Sequence, residues 1–207
     1  MAELQSSEVM MKIIRFLSSQ LQRVAEANDV FGSYGARKIT IFHSLTRPTI
    51  SIKSYLERIF KYANCSPSCY VVAYIYLDRF AKKQPLMPIN SFNVHRLLIA
   101  SVLISAKFMD DIYYNNAYYA KVGGISTAEM NLLEVDFLFG LSFELNVSTA
   151  TFHHYFGYLQ REILLELPPI YVVPSTPSLN LGAKDKFHFC VNEEGSTAHQ
   201  QQQQLAV

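Results

Sequence analysis

The chain has 207 residues, half of them hydrophobic and 13% aromatic, enough for one domain of ordinary size plus tails. Its 18 basic and 17 acidic residues leave a formal net charge of +1, with no global drive toward nucleic acid or an anionic membrane. The opening Met1-Ala2-Glu3-Leu4-Gln5 lacks the basic flank and apolar run of a signal peptide, so a protein that stays inside the cell is expected.

Residues 4–27 place Val9, Ile13, Phe16/Leu17, Leu21 and Val24 on one helical face, and Asn28-Asp29 ends the pattern. Residues 29–48, with Gly32, Gly35 and Pro48, read as a connector. Ser51 then caps a helix whose inward face is Ile52, Tyr55/Leu56, Ile59 and Tyr62/Ala63. Ser66-Pro67 starts the next one, with serine as N-cap and proline at the first helical position, where its missing N–H costs nothing. That helix runs through Val71, Val72, Ile75 and Leu77 to about Phe80, with Lys82-Lys83 at the dipole's negative end.

Asn90 or Ser91 caps a helix that ends near Asp110. Its stretch from Leu97 to Met109 carries a single charge, Lys107, and is apolar on nearly every side. Such a helix is surrounded by others. At ~1.5 Å per residue it spans roughly 20 Å, short of a ~30 Å bilayer core, so it reads as the central helix of a soluble domain. A helical turn or two follows from about Asn116 to Val122, stopped by Gly123-Gly124. Ser126-Thr127-Ala128-Glu129 is a capping box opening a helix through Met130, Leu133, Phe137, Leu138 and Leu141. A last helix starts at Ser148 or Thr149, buries Phe152, Tyr155/Phe156, Leu159 and Ile163, and ends by Leu167. Residues 168–207 hold prolines, scattered polar residues and five glutamines, Gln200 to Gln204, and read as a disordered tail. The total is about seven helices, an all-α fold without a convincing strand.

Enzyme signatures are missing. Gly123-Gly124 is not followed by Lys-Ser/Thr, so no phosphate-binding loop forms, and neither His-Glu-x-x-His nor Gly-x-Ser-x-Gly occurs. An enzyme reading has only Asp110-Asp111 and His95, against which stands a plain solvated loop. Cys65, Cys69 and Cys190 are too few and too scattered for a zinc site and are expected to be reduced packing residues. No metal, cofactor or small-molecule substrate is expected.

Two charges sit in apolar places: Lys107 on the central helix, and Glu134 within the inward stripe of its neighbour. A lysine is almost never fully buried without a partner. The two either form an internal ion pair or reach an apolar surface and anchor a partner, as polar groups ringed by apolar contacts do at interfaces.

The segments around those charges resemble a known family. Ser105-Ala106-Lys107-Phe108 with Glu134 after a short turn, Tyr76-Leu77-Asp78-Arg79-Phe80 and Leu141-Ser142-Phe143-Glu144-Leu145 are similar to cyclin-box signatures. Tyr55-Leu56-Glu57-Arg58-Ile59-Phe60, Cys65-Ser66-Pro67-Ser68-Cys69 and Tyr119 to Ser126 resemble the plant P-type (U-type) cyclins, relatives of the yeast phosphate-pathway cyclins. The resemblance implies a single five-helix cyclin box at 51–147, an N-terminal helix and connector at 1–50, a flanking helix at 148–167 and the tail at 168–207. It implies a non-catalytic subunit that binds and activates a cyclin-dependent Ser/Thr kinase, regulating cell division and phosphate or nutrient signalling, in nucleus, cytoplasm or both. By the same resemblance Lys107 and Glu134 hydrogen-bond the kinase near its regulatory C-helix, Phe108 and Leu138 pack against that helix, and Asp78 and Arg79 serve the fold. Many cell-cycle cyclins carry Met-Arg-Ala-Ile-Leu where this chain has Pro48-Thr49-Ile50-Ser51-Ile52, so docking of Arg-x-Leu substrates is not expected. The other reading is a cyclin-fold adaptor, such as a transcription-associated module, without kinase activation.

Overall fold

The computed structural model describes residues 7–31 and 39–166. Among them are seven α-helices and no strand: α1 (Ser7–Phe31), α2 (Ile52–Tyr62), α3 (Pro67–Lys83), α4 (Val94–Met109), α5 (Asn116–Gly123), α6 (Thr127–Gly140) and α7 (Thr149–Glu166). The disordered-tail reading, 168–207, lies outside the described residues.

The apolar Leu97–Met109 stretch does form the centre. Apart from His95 and Arg96, every residue of α4 from Val94 to Ala106 is buried, and α2, α3, α5 and α6 all pack on it. Two buried serines fit because Ser101 and Ser105 donate back to the carbonyls of Leu98 and Val102, at 2.8 and 2.9 Å. α1 lies across α2 and α7, burying Met10, Ile13, Ile14, Phe16, Leu17 and Leu21. α7 is tied to α3 through Asp78, a buried carboxylate that accepts from the Tyr155 hydroxyl at 2.5 Å and from Lys82 at 2.7 Å. Arg79 donates to the carbonyls of Glu144 and Asn146, both at 2.9 Å, so both residues hold the chain after α6 and α7 against α3.

Helix ends follow their sequence signals with three corrections. α1 does not stop at Asn28-Asp29, because those side chains cap something else. Asn28 donates to the Ile89 carbonyl at 2.8 Å, and Asp29 accepts the Ser91 N–H at 3.1 Å, so the helix continues to Phe31. α4 begins after Asn93, not Asn90 or Ser91. Asn90 accepts the Phe92 N–H on its side chain at 2.9 Å, making a turn that delays the helix. Tyr62, expected inward, is about half exposed at the end of α2, and Ala63 takes the buried place. Gly124 caps α5 at φ +71°, in the left-handed region that favours glycine, and the Ser126–Glu129 capping box is complete. Gly140 is set by close packing instead: a Cβ there would lie 2.1 Å from Phe80 Cε2.

Candidate functional site

Two ion pairs clamp α6 across α4. Near their starts Arg96 meets Glu129 at 2.6 Å, and Arg96 also donates to the Ile41 carbonyl at 2.8 Å. The capping contacts from the Ser126 N–H and hydroxyl hold the Glu129 carboxyl below its usual range, with Arg96 adding to the effect. At the end of α4, Lys107 Nζ donates to Glu134 Oε1 at 2.6 Å. Asn116, at the start of α5, joins this second pair: its Nδ2 donates to Glu134 Oε2 at 2.7 Å and to Asn131 Oδ1 at 2.8 Å. Three helices thus meet at one polar knot.

The knot settles how the two charges stand in the isolated chain. They form an internal pair, yet neither side chain is sealed: Lys107 is 28% exposed and Glu134 16%. Lys107 makes one side-chain hydrogen bond, to Glu134, of the three its ammonium can donate, while the Asn116 Oδ1 is buried and accepts no hydrogen bond.

Apolar side chains surround the knot. Phe108 is 48% exposed, which removes a pure core role for it, and Leu138, one turn past Glu134, is half-buried. Leu132, Val135 and Phe139 share the outward face of α6, beside Leu138, and all are exposed. After α6, Ser142 and Phe143 both take positive φ, 54° and 58°, unusual for side-chain-bearing residues. Their N–H groups nonetheless bond the carbonyls of Phe139 and Leu138, at 2.9 and 3.0 Å. This turn brings Phe143 to rest 5.2 Å from Phe139, edge to face. At the same end of α4 as Lys107 and just beyond it, Met109, Ile112, Tyr113 and Tyr114 are also exposed. Monomeric proteins seldom expose so many large apolar groups together without a binding role. Val135, Phe139 and Phe143 were not singled out from the sequence. Their signal is a second apolar stripe on α6, on the side away from Met130, Leu133 and Phe137, but a stripe does not say which side faces inward.

The residues of the enzyme reading are not assembled. His95 and Asp110 stand at opposite ends of α4, about 22 Å apart along its axis. Asp110 is neither catalytic nor idle in solvent: it accepts the Ser66 N–H at 2.8 Å, capping α3. His95 contacts the Ile50 carbonyl through Nε2 at 2.9 Å, and burial lowers its pKa. Among the described residues, no group of three or more His, Cys, Asp or Glu could hold a metal ion, and no helix is long and apolar enough to cross a membrane.

Comparison with known proteins fits this architecture. The cyclin family model matches residues 7–145. The chain is 62% identical over 210 aligned residues to Cyclin-U4-1 of Arabidopsis thaliana, covering all of both chains. It is 56% identical to Cyclin-U4-3 of the same plant, over 97% of this chain and 91% of that one. Cyclin-P4-1 of Oryza sativa subsp. japonica is 57% identical, over 81% of this chain and 82% of its own. With the all-helical fold, these matches assign the chain to the cyclin family, in its plant U-type (P-type) branch, as a non-catalytic regulatory protein.

Proposed function

We propose that the chain binds and activates a cyclin-dependent Ser/Thr kinase, and that the knot of Lys107, Glu134 and Asn116 with its apolar surround is the contact surface. The observation that carries this reading is a half-open polar cluster bordered by exposed Phe108 and half-buried Leu138 and continuing into exposed Val135, Phe139 and Phe143. Polar anchors inside an apolar surround give a docking partner both register and buried area. On docking, Lys107 and Glu134 meet kinase backbone near its C-helix, with Asn116 holding Glu134 in place, while Phe108 and Leu138 pack against that helix.

Activation is positional. A kinase holds ATP productively only when its strand lysine is paired with the C-helix glutamate. A rigid surface that binds the inward helix better than the outward one shifts the population by that difference in affinity, and by no more. The α4–α6 clamp supplies the rigidity. We further place the complex inside the cell, in nucleus, cytoplasm or both, with roles in division and in phosphate or nutrient signalling.

The test is capture of kinase from plant extract by wild type and by the Lys107→Ala/Glu134→Ala double variant, followed by a Ser/Thr kinase assay on the beads. Removing both charges avoids leaving one stranded, so the variant is expected to keep its helical circular dichroism. Activity with wild type and none with the folded variant is the expected result. No kinase with either protein would overturn the proposal in favour of a cyclin-fold adaptor.

A further inference from the structure

α6 has a second flank that the polar knot does not use. Asp136 and Gly140 lie about 160° round the helix from Glu134 and Leu138. They face the end of α3 and the turn after it, where Phe42, Phe80, Leu86, Met87, Asp136 and Phe139 line a groove of about 440 Å³. That volume is in the range of ligand sites. Buried Phe42, Phe80 and Met87 form its floor, with Thr40 Oγ1 3.0 Å from Met87 Sδ, and exposed Leu86 and Phe139 form its rims.

The groove carries one uncancelled negative charge. Lys83 at its edge is neutralised by Glu144 at 2.8 Å, and Gln84 donates to the Gly140 carbonyl at 3.3 Å. Asp136 has no hydrogen-bond or ion-pair partner among the described residues, so its carboxylate stands alone beside an apolar floor. Such a site suits a cation set next to large apolar side chains.

We propose that this groove is the docking site of the chain's own segment Lys184–Phe189. Lys184 and Lys186 are the only lysine or arginine residues in 167–207, and Phe187 and Phe189 follow them directly. Asp185 leaves the segment with a net positive charge, and no other stretch of 167–207 joins a lysine or arginine to aromatic side chains. The lysines pair with Asp136 and set the register. An exposed ion pair contributes little by itself, so the two rings, laid on Leu86, Met87 and Phe139, supply most of the attraction.

The connection is long enough. Arg79 holds the Asn146 carbonyl at the end of α3, beside the groove. The 18 residues of α7 then carry the chain about 27 Å at ~1.5 Å per residue. Residues 167–183 can reach about 55 Å at ~3.3 Å each, so the segment can return to the groove within one chain. Tethering of this kind holds it at an effective concentration in the millimolar range. Phe139 belongs both to the groove and to the outer face of α6, so a docked segment and a kinase compete for it. That consequence rests on the proposed function, whereas the docking does not.

The test uses the full chain and no kinase, so its failure is separable from that of the proposed function. The protein is treated with a water-soluble carbodiimide, which turns a carboxylate–lysine contact into an amide with loss of water. The monomer is isolated, digested with trypsin and sequenced by mass spectrometry. The expected product joins Asp136 to Lys184 or Lys186 and is lost in Asp136→Asn. Phe187→Ser/Phe189→Ser is expected to lower its yield several-fold. Leu86→Ser is expected to do the same and to keep the fold, because the Leu86 side chain is in solvent. Absence of the Asp136 product, its formation only between two chains, or a yield that Phe187→Ser/Phe189→Ser leaves unchanged, as a charge encounter alone predicts, would overturn the proposal.

Discussion

Two phenylalanine clusters on opposite sides of α6 use the same side chain in opposite ways. On the inner side Phe80 and Phe137 stack with centroids 4.6 Å apart, and Phe42 meets them edge-on at 5.4 and 6.2 Å; all three are buried. On the outer side Phe139 and Phe143 meet edge to face at 5.2 Å, yet they are 66% and 57% exposed. Phe137 and Phe139 are two residues apart on one helix, which turns them about 160° away from each other. The inner cluster holds α6 to α3 and to the segment before α2. The outer cluster leaves apolar area in water that the isolated chain does not recover, and that area is available to a partner.

The largest effect that separates the clusters is on stability. Phe137→Ala empties a fully buried ring site between Phe80 and Phe42 and is expected to cost about 3–5 kcal/mol, read as a lower urea midpoint at unchanged slope. A loss under 1 kcal/mol would mean that the inner cluster is no more a core than the outer one.

The comparison also explains how much was readable beforehand. α3, α4 and the capped start of α6 follow from signals that act locally: Ser66-Pro67, an all-round apolar run, and Ser126 with Glu129 three residues on. The pairing of Lys107 with Glu134 was one of two open alternatives, and the structure realises it with both side chains partly exposed. Three features depended on tertiary contacts that no local pattern encodes. Asn28 and Asp29 look like helix stops, but partners at Ile89 and Ser91 draw their side chains away. Asn116 reads as an ordinary helix start, yet it completes the polar knot from a third helix. Phe143 is exposed only because two consecutive residues take left-handed backbone, which a run such as Leu-Ser-Phe-Glu-Leu does not announce.

A smaller effect, confined to acid, tests the inner region from the far end of α4. His95 Nε2 is bonded to the Ile50 carbonyl, while its Nδ1 is buried and has no hydrogen-bond partner. A proton on Nδ1 would therefore be buried unpaired. Burial is the larger cause of the lowered pKa, and the Ile50 contact opposes it. The unfolded chain takes up this proton from about pH 6.5 downward, before the folded chain does. His95 thus supports the fold fully above that pH, and its contribution falls as pH drops toward the folded value. His95→Gln is expected to flatten the dependence of urea midpoint on pH below 6.5 relative to wild type. An unchanged slope would show that His95 titrates as it does in the unfolded chain.

The smallest effect on stability belongs to the outer cluster, and there the smallness is the prediction. Phe139→Ser and Phe143→Ser each remove a ring that is more than half in water and contacts the other ring edge-on. Exposed substitutions of this kind usually stay within about 0.5 kcal/mol. Phe143 carries the larger stability risk of the two, because its N–H closes the left-handed turn onto Leu138; serine keeps that N–H, so the turn is retained. If the outer face is the docking surface, both variants keep the wild-type urea midpoint and lose kinase capture, as Lys107→Ala/Glu134→Ala is expected to do. A variant that destabilises like Phe137→Ala would move its ring into the core. A variant that changes neither midpoint nor capture would confine the contact surface to the knot and its immediate neighbours, Phe108 and Leu138. The two readouts together therefore map where the partner ends, which neither cluster's geometry does alone.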